Sequence, residues 1–189
     1  MSLWKLLNAR WGSGSGETDE VRMDASTNSL QTIEYDHHEI HSGSSFTTSY
    51  VADIGNGANL DLLIVTPDSL AYAHWFYEID VEAEASLLLY EAVTATAGAA
   101  IVAYNRNRVG TPDAATVVVT STPTSITEGT TILRSRHIGS GKTTGGGSRG
   151  QHEFILKPNT KYLFRLTNAT TGNNFMSVEF DWYEHTDKH

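Results

Sequence analysis

The chain contains no cysteine. Disulfides, thiolate nucleophiles and cysteine-ligated zinc are therefore excluded at once. Proline is scarce, with four in 189 residues, and only 19% of the residues are charged. Cations are the scarcer sign: 13 Lys and Arg against 22 Asp and Glu leave a net charge of −9. Such a chain repels nucleic acid unless it gathers its cations into a patch. No patch is visible, so no nucleic-acid partner is expected. The acidic balance suits packing against a basic or mixed protein surface instead. No segment reaches the ~18 apolar residues of a membrane span, so no membrane partner is expected. Leu3, Trp4, Leu6 and Leu7 form too short a run for a secretory h-region, and no small-residue cleavage site follows them; cytosolic synthesis is the expectation. What the chain has in quantity is Gly, Ser, Thr, Asn and Ala, a composition suited to strands joined by turns.

The first residues stand apart. Residues 2–11 have the spacing of a short helix, with Trp4, Leu7 and Trp11 on one stripe and Leu3 beside it. The linker Gly12-Ser-Gly-Ser-Gly16 and the acidic Glu17-Thr-Asp-Glu20 follow. A short amphipathic helix on a flexible tether cannot bury its face locally. Leu3, Trp4, Leu7 and Trp11 are thus candidates for an anchor that docks a neighbouring subunit, against the alternative of a disordered terminus. The expected organisation is a flexible N-terminal arm and linker over 1–34, then one folded domain over 35–189.

From about residue 35 the apolar period becomes two. Strands are expected at 46–52, 60–66, 71–82, 86–93, 115–120, 130–137 and 175–183. In 71–82, Tyr72, His74, Phe76, Glu78, Asp80 and Glu82 share one face, and Ala73, Trp75, Tyr77, Ile79 and Val81 the other. Near the end, Phe175, Ser177, Glu179 and Asp181 alternate with Met176, Val178, Phe180 and Trp182. The stretches 152–157 and 161–167 flank Pro158-Asn-Thr160 and read as a hairpin. The run at 94–100 is ambiguous, and the Gly- and Ser-rich 139–150 reads as a mobile loop. About nine or ten strands with no helical pattern between them predict an all-β fold. The expected architecture is an antiparallel, jelly-roll-like β-sandwich.

Chemistry-bearing motifs are few. On a strand, His37, Glu39 and His41 would face the same way and could hold a metal. Ligands at i, i+2 and i+4 span about 13 Å, however, too far for one ion, so a polar face or proton-sensitive interface is the preferred reading. Gly139-Ser-Gly-Lys-Thr143 has Arg136 where a phosphate loop needs glycine, and Thr144-Gly-Gly-Gly147 where it needs a helix. Glu153 and Glu179 are two of many acids that could pair, and spacing alone assigns them no reaction. Asn168-Ala-Thr170 matches a glycosylation sequon but reads as chance. No catalytic residue, metal ligand or cofactor site is expected. Tyr104-Asn-Arg-Asn-Arg108 is the most distinctive segment. Its tyrosine and two arginines, together with Arg149, are candidates for protein contact, against a loop whose arginines pair locally with carboxylates.

Five segments together carry a resemblance: His38-Glu-Ile-His-Ser-Gly-Ser-Ser-Phe46, Tyr104-Asn-Arg-Asn-Arg108, Gly147-Ser-Arg-Gly150, Phe154-Ile-Leu-Lys-Pro-Asn-Thr-Lys-Tyr162 and Trp182-Tyr-Glu-His185. The chain resembles, over roughly 35–185, a family of tailed-bacteriophage virion structural proteins. The resemblance implies a place in the phage particle, on the capsid surface, and no enzymatic activity. It implies a capsid decoration (cement) protein that binds the major capsid protein, with self-association as a homotrimer. A head-fibre or tail component is the nearest alternative. Outside that class stand two others. A carbohydrate-binding or adhesion module would use exposed aromatics such as Tyr72, Tyr77 or Trp182. A metal-dependent cupin would need His37–His41 residues to converge with His74 or His152 inside a barrel.

Overall fold

Alternation over 71–82 is what the structure uses to build its interior. The computed structural model describes residues 35–109, 113–139 and 153–186. The chain divides into two units, Met1–His38 and Glu39–His189. The first is represented here only by the opening residues of a helix, α1 (Tyr35–Ser42); the expected arm over 1–34 and nearly all of the expected loop over 139–150 lie outside the described residues.

In the second unit the elements run β1 (Ser45–Ile54), β2 (Asn59–Val65), β3 (Ala71–Val81), β4 (Ala85–Glu91), β5 (Thr94–Thr96), β6 (Ala99–Ile101), β7 (Tyr104–Asn105), β8 (Val118–Ser121), β9 (Thr124–Thr127), β10 (Thr131–Ile138), β11 (Phe154–Leu156), β12 (Lys161–Asn168) and β13 (Asn174–Thr186). One sheet has the order β11-β3-β13-β1-β7 and the other β10-β4-β12-β2-β8-β6, with every pairing antiparallel. The fold is an all-β sandwich of two antiparallel sheets.

The two sheets meet through their alternating apolar faces. β13 lies between β3 and β1, and the register sets Trp182 beside both Trp75 and Phe46, and Phe180 beside Tyr77. The indoles of Trp75 and Trp182 stack at 4.8 Å. Across the gap, Phe164 of β12 meets Tyr77 and Phe180 edge-on, with centroids 5.2 and 5.1 Å apart. Leu62, Ile64, Leu87, Leu89 and Leu166 complete the facing layer, all buried. Each such side chain contributes roughly 1.5–3 kcal/mol by leaving water.

A second, smaller core lies on the outer face of the β4-β12-β2 region. Leu63, Tyr90 and Leu163 point away from the main core and pack with Val93 and with Ala95 and Ile126 of a two-stranded ribbon, β5-β9. The ribbon sits very close to the sheet. A Cβ on Gly129 would come within 1.9 Å of the Glu91 carbonyl oxygen, so only glycine fits there. Beneath the ribbon's end, Arg165 donates to both carboxylate oxygens of Asp61, at 2.7 and 2.9 Å, and to Glu128.

Two expectations about local structure need correction. The segment containing His37, Glu39 and His41 is helical, so strand-like sharing of a face does not occur there. Nor do the stretches at 152–157 and 161–167 form a hairpin: β11 pairs with β3 in one sheet, and β12 pairs with β2 and β4 in the other. The intervening turn is pinned to the end of β2. Asn159 N–H donates to the Pro67 carbonyl at 2.9 Å, and the Thr66 hydroxyl to that of Lys157 at 2.7 Å. Asn159 itself takes a left-handed conformation, φ +48°. Those bonds turn the chain out of one sheet and into the other.

Candidate interaction surface

Helix α1 ends because Gly43 adopts φ +81°, where a side chain is disfavoured. Gly43 N–H donates to the Ile40 carbonyl and Ser44 N–H to that of Glu39, which is the paired closing pattern of a helix with a left-handed cap. The buried Glu39 carboxylate accepts from the Ser44 hydroxyl. This cap aims the chain straight into β1.

The segment around Tyr104 is folded onto that cap by its asparagines. Asn105, 5% exposed, donates to the carbonyls of Gly43 and Asp113, at 2.5 and 3.1 Å. Its Oδ1 accepts from Asn107 N–H at 2.8 Å, and Asn107 Oδ1 accepts from Val109 N–H at 3.0 Å. Two successive side-chain turns of this kind fix the backbone of 105–109 without helix or sheet. Asn107 Nδ2 reaches the His41 carbonyl, and Arg106 N–H that of Ser45.

With the amides spent on the scaffold, the remaining side chains face outward. Tyr104 is 54% exposed, Val102 62% and Val109 84%. The Arg108 guanidinium lies over the Tyr104 ring, 5.8 Å from its centroid. Among the described residues neither Arg106 nor Arg108 forms a salt bridge. The end of β13 joins the same corner. Glu184 N–H donates to the Ser44 carbonyl at 2.9 Å, and its carboxylate accepts from Trp182 Nε1, Thr116 N–H and Val117 N–H.

Among the described residues, a group of titratable side chains gathers elsewhere, at the β11-β3-β13 junction. His74 Nδ1 is 2.5 Å from Glu153 Oε1, to which the Tyr183 hydroxyl also donates at 2.7 Å. The His74 ring stacks against both Tyr183 and His185 of β13, with centroids 4.5 Å away in each case. His74 Nε2 is buried, and the side chain as a whole is 11% exposed. The arrangement holds β11 to the sheet.

Of the residues named from sequence, Tyr104, Arg106 and Arg108 come together at one corner. Leu3, Trp4, Leu7, Trp11 and Arg149 lie outside the described residues. Tyr77 and Trp182 are buried in the core, which removes them as sugar-stacking platforms; Tyr72 is half-buried. His74 stands on the outer face of a sheet, not between the sheets as a cupin site needs, and His152 is outside the described residues. Glu153 and Glu179 have separate surroundings, the first at His74 and the second opposite Glu78. Asn168 is buried, its amide donating to the carbonyls of Ile54, Gly55 and Gly172, so the sequon has no accessible acceptor. Among the described residues no three His, Asp or Glu side chains converge as a metal site, and no helix is long and apolar enough to cross a membrane. Sequence reasoning did not single out Val102 and Val109; their only signal was an apolar residue on each side of the Tyr104 segment. The chain matches no protein-family model, no curated protein and no solved structure.

Proposed function

We propose that this protein is a non-enzymatic structural component of a tailed-bacteriophage particle, and specifically a capsid decoration protein. In this reading it binds the major capsid protein on the outer lattice, self-associates as a homotrimer, and needs neither cofactor nor nucleic acid. One observation carries the reading beyond resemblance. Three of the segments behind that resemblance, at 38–46, 104–108 and 182–185, are joined at one corner by backbone and amide bonds of His41, Gly43, Ser44, Ser45, Asn105, Asn107 and Glu184. They present Tyr104 and Arg108 to solvent, with exposed Val109 directly after them, on a hydrogen-bonded base of the kind a protein-binding surface requires.

The strand order supports the finer architecture. β1, β13, β3 and β11 neighbour one another in one sheet, and β2, β12, β4 and β10 in the other, with the chain passing between sheets at successive connections. We read this order as jelly-roll connectivity, in a fold that serves viral capsid proteins among others.

The test is copy number and mass. Light scattering on the pure protein is expected to give a trimer, and densitometry of purified particles hundreds of copies. A few to a few dozen copies would reassign it to a fibre, vertex or tail, and absence from particles would reject the virion reading. Tyr104→Ala with Arg108→Ala is expected to weaken particle binding while leaving the circular dichroism spectrum unchanged.

A further inference from the structure

The outer face of the β11-β3-β13-β1-β7 sheet is chemically lopsided. Its three long strands, β1, β3 and β13, contain no lysine or arginine at all, yet on this face they carry Asp53, Glu78, Asp80, Glu179 and Asp181. Glu78 and Glu179 stand directly opposite each other in the register. At one end of this face the strands enclose a shallow pocket of about 260 Å³ between Val51, Asp80, Val81, Glu82 and Phe175.

The register explains why a pocket exists. Ser177 pairs with Asp80 on one side and with Val51 on the other. A small side chain thus sits between two larger ones, and Phe175, two residues along the same face, closes the end. The walls are apolar: Val81 and Met176 are buried at the floor, while Phe175 is 57% and Val51 61% exposed. Asp80 and Glu82 on the rim are exposed and form no ion pair among the described residues.

An exposed aromatic ring beside apolar wall and flanked by two solvated carboxylates fits one side-chain chemistry. A lysine or arginine lays its methylene stem on Val51 and Phe175, places its cationic head over the ring, and is met by Asp80 and Glu82. A neutral apolar ligand would leave both carboxylates without a counter-charge, and an anion would be repelled. We propose that this pocket docks a basic segment of a partner protein, one Lys or Arg side chain entering over Phe175. The site is separate from the Tyr104 corner and does not depend on which particle component the protein is.

The experiment is a nitrogen-15 NMR titration of the full chain with the peptide acetyl-Gly-Arg-Leu-Arg-Gly-amide, and with its counterpart in which both arginines are glutamate. The arginine peptide is expected to shift the amides of residues 51, 80–82 and 175–177, and to lose affinity between about 0.05 and 0.5 M salt. The glutamate peptide is expected to leave them unmoved. Phe175→Ala is expected to weaken binding about fivefold or more, and Asp80→Asn with Glu82→Gln to abolish most of its salt dependence. These side chains are solvent-exposed, so an unchanged circular dichroism spectrum keeps each variant interpretable. Shifts confined to other residues, an equal response to the glutamate peptide, or indifference to Phe175→Ala would overturn the proposal. So would perturbation of the same amides on raising protein concentration alone, which makes a second copy the occupant.

Discussion

Replacing Asp61 by asparagine tests whether the ion pair under the β5-β9 ribbon holds that region together. Arg165 donates to both Asp61 oxygens, and the two side chains are only 15% and 14% exposed. Asparagine keeps one acceptor but turns an amide N–H toward an arginine N–H, so one charge-assisted bond is lost and the guanidinium loses its bidentate, more buried counter-charge. Breaking a buried pair from one side costs about 3–5 kcal/mol. Residual solvent access and the remaining Glu128 carboxylate reduce that to about 2–3 kcal/mol here. With a urea slope of about 2 kcal/mol per molar, the unfolding midpoint should fall by about 1–1.5 M. Glu128 also accepts from Arg165 but is 46% exposed, so Glu128→Gln should cost less than about 1 kcal/mol and move the midpoint by under about 0.5 M. The measurement is paired urea melts by tryptophan fluorescence and far-ultraviolet circular dichroism. Equal shifts for the two variants, or a loss below about 1 kcal/mol for Asp61→Asn, would refute the assignment of Arg165 as a buried hub.

Three further outcomes are expected. Gly129→Ala should destabilise by about 1–3 kcal/mol, because the clash is with backbone and not with a movable side chain; hydrogen exchange at 93–96 and 124–127 should accelerate first. Burial, reinforced by Glu91, pushes the Tyr162 hydroxyl up to about 12, above its unfolded value of 10. The stabilisation from its neutral form is therefore complete below pH 10 and is lost as pH rises from 10 to 12, so Tyr162→Phe should show a shallower alkaline loss in urea melts across that window. Glu184→Gln should lower the thermal midpoint by several degrees, since its carboxylate gathers Trp182 Nε1 and the backbone N–H groups of Thr116 and Val117.

Period-two patterning located the central strands because burial there is one-sided. The alternating faces read from 71–82 and 175–182 are the faces the sheets use, from Ala73 to Val81 and from Met176 to Trp182. Patterning failed where burial does not decide the conformation. The eight residues of α1 are mostly polar, so nothing in their order separates helix from strand; the cap at Gly43 does that. The hairpin expected around Pro158 had the right turn residues, but the bonds to Thr66 and Pro67 that send the chain across the sandwich are long-range. The ribbon at 94–96 and 124–127 was hidden because its strands are short and threonine-rich, with only Ala95 and Ile126 marking the side that faces the sheet. At the Tyr104 corner the residue types were legible, while the inward role of both asparagines was not. The Phe175 pocket could not be read at all. Each of its walls appears in a separate strand, and only the register brings Val51, Asp80 and Phe175 together.

The position of β13 bears on how the chain reaches this fold. It is the middle strand of its sheet, yet it comes after every other strand in order, and its partners β1 and β3 come early. Neither partner pairs with the other, so a chain cut before Asn174 has a gap through the centre of that sheet and leaves Trp75 and Phe46 without Trp182 between them. Closing so long a loop precedes any energetic return, which predicts slow refolding and an intermediate with the β4-β12-β2 side formed first. Until β13 inserts, β1 and β3 present facing unpaired edges of matching length. A β13 strand from a neighbouring chain could fill that slot as readily as the chain's own, making strand exchange the characteristic misassembly at high concentration.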